Sequence, residues 1–148
     1  MRNFYIFFLV AVGTFIIDQS IKNIFVEGYY RAGACIDLEL HYNKGVAFSM
    51  FAFLGPYLKW IQGSLVIFIL YIVFKEGYIS RYALPIGLLI GGALGNVYDR
   101  FIHEGVVDYV AWHCGFNFAV FNYADVAIDL AIVWIIIMIY FFPETEET

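Results

Sequence analysis

The chain is short of charge. It has 8 lysines and arginines and 13 aspartates and glutamates, so charged residues make up 14% of its 148 positions. Ordinary soluble domains carry roughly 25%, and a conventional water-facing surface cannot be built from this stock. No basic patch occurs, so nucleic acid has no electrostatic partner here. His41, His103 and His113 have no ligand-like spacing, and Cys35 and Cys114 form neither a C-x-x-C pair nor a zinc pattern. No metal or other cofactor is called for. Serine occurs at positions 20, 49, 64 and 80 only, never in a nucleophile elbow. Ser49, in Ala47-Phe-Ser-Met-Phe51, is the one a serine–lysine hydrolase would have to use. Low-complexity tracts, linkers and long repeats are also missing.

Hydrocarbon is what the chain has in quantity: 63% hydrophobic residues, 21% aromatics and a mean hydropathy of +0.79. Four apolar stretches, about 4–26, 57–74, 82–98 and 123–142, each approach the ~20 residues a helix needs to cross a bilayer. The expectation is an all-α membrane protein with four transmembrane helices in a single domain, 1–148. The long loops, about 27–56 and 99–122, then lie on one side, and both termini and the Lys75–Arg81 link on the other. The first stretch reads as a retained span. Its charged start is only Arg2, no small-x-small cleavage site follows, and Asp18, Lys22 and Asn23 mark its far end. Arg2, Lys75 and Arg81 fall on the terminal side, but Lys22, Arg31, Lys44, Lys59 and Arg100 fall towards the other. Charge bias therefore does not orient the protein. The acidic tail Glu144–Glu147 reads as a solvated end, and the aromatics as lipid contacts and interfacial anchors.

Within the first long loop, Ile36-Asp-Leu-Glu-Leu-His-Tyr42 alternates apolar and polar residues, as a half-buried strand does. Asn43-Lys44-Gly45 is then a turn and Val46-Ala-Phe48 a returning strand; Phe116–Phe121 is a weaker echo in the second loop. A small sheet lying on the membrane surface fits both. Gly87, Gly91 and Gly95, spaced by four, put a close-packing face on the third span. Asp99 continues that face, while Gly92, Asn96 and Arg100 form the adjacent one, and Pro85 falls in the first turn. Cys35 and Cys114 lie in different long loops. Two free thiols is the plainer reading, and a disulfide requires both loops to face an oxidising compartment.

Acids at the edge of hydrocarbon must be paired, neutralised or used. Asp18 and Lys22 are one helical turn apart and read as an ion pair easing the burial of both. Asp99 and Arg100 are adjacent, point in different directions and need separate partners; five fixed donors suit Arg100 to organising carboxylates or carbonyls. Asp108 and Asp125 flank a loop long enough to return the chain to the same depth. If they meet, one holds a proton while the other acts as general base on a water, the chemistry of aspartic peptidases. Two other readings use the same residues. In a small transporter or channel, Asp18, Lys22, Asp99, Arg100, Asp125 and Asp129 form a polar path; an inert assembly partner needs only the glycine face and aromatic anchors.

Five motifs occur in register: Asp18-x-x-x-Lys22, Asn43-Lys-Gly-Val-Ala-Phe48, Gly91-Gly-Ala-Leu-Gly-Asn-Val-Tyr-Asp-Arg100, Val106-Val-Asp108 and Phe121-Asn-Tyr-Ala-Asp125. From first span to fourth, this resembles the lipoprotein signal peptidase (signal peptidase II) family. The resemblance implies an intramembrane aspartic endopeptidase of the bacterial cytoplasmic membrane, working as a monomer without cofactor. Its substrates would be prolipoproteins, cut before a diacylglyceryl-modified cysteine. The motifs assign the catalytic pair to Asp108 and Asp125. They assign supporting or substrate-binding positions to Asp18, Lys22, Asn43, Gly45, Ala47, Phe48, Asn96, Asp99, Arg100, Asn122 and Ala124. The family's topology implies cytoplasmic termini and an extracytoplasmic sheet, or cradle, with the site near the outer face. Asp129 departs from the motif: it is a further acid one turn beyond Asp125, where like-charge repulsion complicates the titration of the pair.

Overall fold

Backbone in hydrocarbon has to satisfy its own hydrogen bonds, and the apolar stretches do so as helices. The computed structural model describes residues 1–45, 52–103 and 105–143. Its helices are α1 (Arg2–Val26), α2 (Leu58–Lys75), α3 (Ile79–Ile102) and α4 (Tyr123–Phe141); its strands are β1 (Ile36–Asn43) and β2 (Val106–Trp112). A 3-10 segment, Ala52–Tyr57, leads into α2. The expected Val46–Phe48 strand, with Ala47 and Phe48, lies outside the described residues.

α1, the stretch Phe53–Lys75 and α4 are each long and apolar enough to cross a membrane. Large side chains such as Leu9, Ile67 and Phe141 face outward from them, 68%, 70% and 76% exposed. α3 differs in polarity, not in length: its 24 residues rise about 36 Å, enough for a hydrocarbon core of roughly 30 Å. It is the central element, packed against α1, α4 and α2, so its glycines and charges are screened from lipid by its neighbours. Helices in lipid gain little from apolar burial against one another, and close backbone approach replaces it. A Cβ on Gly91 would stand 2.7 Å from Thr14 Cβ, and one on Gly92 2.8 Å from the carbonyl oxygen of Ala124. Substitution at either would force α1 or α4 away. A core of Phe7, Val66, Val73, Ile79, Ala83, Ile86 and Ile90 fills the half nearer the termini. At that end Asn3 Nδ2 donates to the Ser80 carbonyl (2.5 Å), and Arg81 donates to the carbonyls of Met138 and Phe142.

Three expectations are corrected here. α3 begins at Ile79, so Pro85 lies inside it, and the backbone departs from helical values at Tyr82 (φ −109°, ψ 25°), where the ring's demands on the preceding turn are absorbed. Phe116–Phe121 forms no strand; Phe116 and Phe118 stand exposed, and Phe121 makes only an isolated bridge to Val110. The observed partner of β1 is instead β2, antiparallel, with Ile36 opposite Trp112, His41 opposite Asp108 and Asn43 opposite Val106, and a bulge between Leu38 and His41. β2 gives no alternation signal because Val106, Val107, Asp108 and Tyr109 are all buried, leaving its inner half without a solvent face. Finally, Cys35 and Cys114 are joined as a disulfide rather than left as two thiols, with Cα atoms 4.5 Å apart at the end of the β1–β2 ladder.

Candidate active site

The site is built in two tiers where α1, α3 and α4 meet β2. The lower tier is a buried cluster. Lys22 Nζ lies 2.7 Å from Asp18 Oδ2 and 2.7 Å from Asp99 Oδ2, and all three residues are at most 1% exposed. A buried ion pair holds only when its remaining lone pairs are also satisfied, and here they are. Gln19 Nε2 donates to Asp99 Oδ1 (2.9 Å) and Asp18 Oδ2 (3.1 Å), the Val107 N–H to Asp99 Oδ2 (3.0 Å), and the Ala124 N–H to Asp18 Oδ1 (3.1 Å). Gly95 makes room: any Cβ there would collide with the Asp18 carboxylate. Four elements, α1, α3, α4 and β2, thus close on one cluster.

Lys22 has a third bond, to Asn96 Oδ1 (2.9 Å), which leads to the upper tier. Asn96 Nδ2 donates to Asp125 Oδ1 (2.8 Å). Asn122 caps α4 in a reciprocal box: its Oδ1 accepts from the Asp125 N–H (2.9 Å), and its own N–H donates to Asp125 Oδ2 (3.1 Å). The Asn122 side-chain amide also donates to Asp108 Oδ1 (2.7 Å) and Asn96 Oδ1 (3.1 Å). One asparagine therefore touches both acids. On the far side, Asn43 Nδ2 donates to Asp108 Oδ2 (3.0 Å), while its Oδ1 accepts from the Gly45 N–H (3.0 Å). Arg100, 5% exposed, donates to the carbonyls of Asn43 and Gly45, fixing the turn that presents Asn43.

Asp108 and Asp125 line one cavity of about 340 Å³, together with Asn43, Asn96 and Arg100. Its wall also includes Gln62, Phe118–Phe121, Ile128 and Asp129. Burial, and next the neighbouring charge of Asp125, push the Asp108 carboxyl up from 3.8 to about 6, against the opposing hydrogen bonds from Asn43 and Asn122. Tyr109, stacked on Phe25 at 4.2 Å between ring centres, is pushed up to about 12 by burial. As a neutral phenol it accepts from the Tyr123 N–H (2.9 Å) and pins the start of α4 to β2.

The sequence-derived positions Asp18, Lys22, Asn43, Gly45, Asn96, Asp99, Arg100, Asn122 and Ala124 all fall within these two tiers. Gln19, Tyr109 and Gln62 were not anticipated. Gln19 and Tyr109 each adjoin a motif acid, and a polar group beside such an acid is the signal that points to them. His41 and His113 pair instead with Glu39 (2.6 Å) and Asp37 (3.3 Å) at the sheet surface.

The signature of the Signal peptidase (SPase) II family matches residues 10–141. The chain belongs to that family. It is 75% identical over 143 residues to a lipoprotein signal peptidase of Sulfurovum sp. (strain NBC37-1), covering 97% of this chain and 98% of that protein. It is 57% identical over 138 residues to the lipoprotein signal peptidase of Sulfurimonas denitrificans, covering 93% and 90%. A bacterial membrane enzyme solved by the in meso method at 2.3 Å superimposes with a TM-score of 0.78 at 26% identity, covering 95% of this chain and 92% of that one. This signal peptidase II family member is accordingly a membrane peptidase, and its polar tiers sit at one end of an otherwise lipid-facing bundle.

Proposed function

We propose that this chain removes signal peptides from bacterial prolipoproteins, cutting just before a diacylglyceryl-modified cysteine, with Asp108 and Asp125 as the catalytic pair. The observation that carries the reading is the cavity flanked by two carboxyls that amides hold and that, among the described residues, form no direct salt bridge. Arg100 is close, but among the described residues its hydrogen bonds go to carbonyl oxygens. Two acids so placed cannot both ionise easily, and they titrate as one unit with a shared proton.

Hydrolysis then proceeds by general acid–base catalysis. The ionised member takes a proton from water as its oxygen adds to the scissile carbonyl, and the protonated member hydrogen-bonds the developing oxyanion. Collapse breaks the carbon–nitrogen bond. A proton passes to the leaving nitrogen, so the signal peptide ends in a new carboxylate and the lipidated cysteine in a new amine.

A signal peptide is an apolar helix whose cleavage site stays at the membrane, so its protease needs lipid-facing walls and water from one side. The bundle and the β1–β2 sheet suit that task. The Cys35–Cys114 pairing supports an orientation with the sheet outside the cytoplasmic membrane and both termini in the cytoplasm, because such bonds persist in oxidising compartments. The protein is read as a multi-pass monomer of the inner membrane, with lipid as its surroundings and a prolipoprotein as its substrate.

The test is cleavage of a diacylglyceryl-modified prolipoprotein by purified protein. Asp108→Asn and Asp125→Asn should each lower the rate by about 10³-fold or more while the variants fold in detergent, and precursor lacking the lipid should be cut poorly. Cleavage retained by either variant removes the pair from the mechanism.

A further inference from the structure

One group in the cavity has no task in the chemistry just described. Gln62 is the only α2 residue among those lining it, set in the apolar run Leu58–Phe74. Its Oε1 is buried and, among the described residues, has no hydrogen-bond partner. A buried acceptor left unmet costs more than a made bond returns, so the arrangement makes sense only if a donor arrives. Arg100, which lines the same cavity, holds the converse orphan: its Nε is buried and, among the described residues, has no partner.

We propose that Gln62 is a substrate-binding residue whose side-chain carbonyl accepts a backbone N–H of the peptide segment next to the scissile bond. This rests on the peptidase reading above. To offer its carbonyl to an acid pair, a peptide must leave the helical conformation, and its N–H groups then lose their internal acceptors. In a site walled by apolar side chains and lipid, each needs a replacement. Among the described residues, the other polar side chains named at the cavity are already engaged or solvated. Asp108 and Asp125 accept from Asn43, Asn96 and Asn122 and are committed to water and the carbonyl. Asn96 Oδ1 accepts from Lys22 and Asn122. Asp129 is exposed and keeps its hydration. Among the described residues, Gln62 Oε1 is the buried side-chain acceptor left over, and an extended peptide brings the donor it lacks.

The experiment is a backbone-ester scan. Lipidated prolipoprotein peptides in which each amide preceding the cleavage site is replaced in turn by an ester lose one N–H and nothing else. Each is assayed with wild type and with Gln62→Leu and Gln62→Met, whose melting temperatures in detergent are recorded alongside. One ester position should lower wild-type kcat/KM about tenfold. The Gln62 variants should lose about as much on the all-amide peptide and nothing further at that position, the signature of a coupled pair. A merely structural Gln62 would give equal losses at every position. That result, or a wild type indifferent to all the esters, overturns the assignment, and the second outcome needs no variant to fold. If Asp108→Asn and Asp125→Asn abolish cleavage while Gln62→Leu and Gln62→Met match wild type, this inference fails alone. A wild type that does not cut the lipidated peptide sinks both.

Discussion

Two groups of aspartates, one tier apart, meet opposite fates. Asp18 and Asp99 share Lys22 at 2.7 Å each and are fully buried. Asp108 and Asp125 have comparable hydrogen-bond support but, among the described residues, only from neutral amides and one backbone N–H. The residue type is the same; the charge of the donor differs. A shared cation ties the lower acids together and makes them a fastener between helices. Amides orient the upper acids without deciding where a proton goes. On the proposed mechanism, the upper acids stay reactive because no direct salt bridge holds them, while the lower tier carries the packing load itself.

Lys22 is where the comparison breaks hardest. Lys22→Met leaves two carboxylates buried against each other, and losing one partner of a buried ionic group typically costs about 3–5 kcal/mol. The expected result is a large drop in melting temperature or loss of folded protein in detergent, whereas Asp108→Asn should melt close to wild type. Equal melting of the two variants would mean the tiers do not divide labour in this way.

The pH dependence sharpens the contrast. Asp108 is held at about 6 in the fold against 3.8 in an unfolded chain, so between those values the folded state binds the extra proton. Its contribution to stability is present at low pH and lost as pH rises through about 6. If the pair must share one proton to work, kcat/KM should fall on the alkaline side of the same region. The Asn43 hydrogen bond favours the charged form of Asp108, so Asn43→Ala should move that limb to higher pH as well as lower the rate. A limb that stays fixed in that variant would show that another group sets it.

Asp129 should matter least. It lines the cavity one turn beyond Asp125 but is exposed, and solvent screens such charges. Asp129→Asn should change kcat/KM less than about threefold at constant ionic strength; a larger effect would make it a working member of the upper tier.

Legibility in the sequence followed locality. The Asp18–Lys22 pair and the β1 strand are written within single elements, and both are found in the structure, although the burial of β1 does not alternate as its sequence does. The glycine spacing announced a close approach but not what approaches, which is Thr14 on one side and Ala124 on the other. The second partner of Lys22, Asp99, comes from α3, and no spacing within either helix encodes that meeting. β2 escaped notice because its inner residues are buried on both faces. The Cys35–Cys114 link became evident only once β1 and β2 were known to pair. Gln62 is the extreme case: on sequence it is a single amide in a greasy helix, and only the shape of the cavity gives it meaning.

Asn122 reaches Asp108 through its side chain and Asp125 through its main chain. The gap between those carboxyls is therefore ruled by the bond lengths and angles of one amino acid rather than by how firmly a helix rests on a strand. Bilayers thin, thicken and breathe, and helices tilt to follow them. A spacer of covalent stiffness lets the surrounding spans sway while the two carboxyls keep their separation.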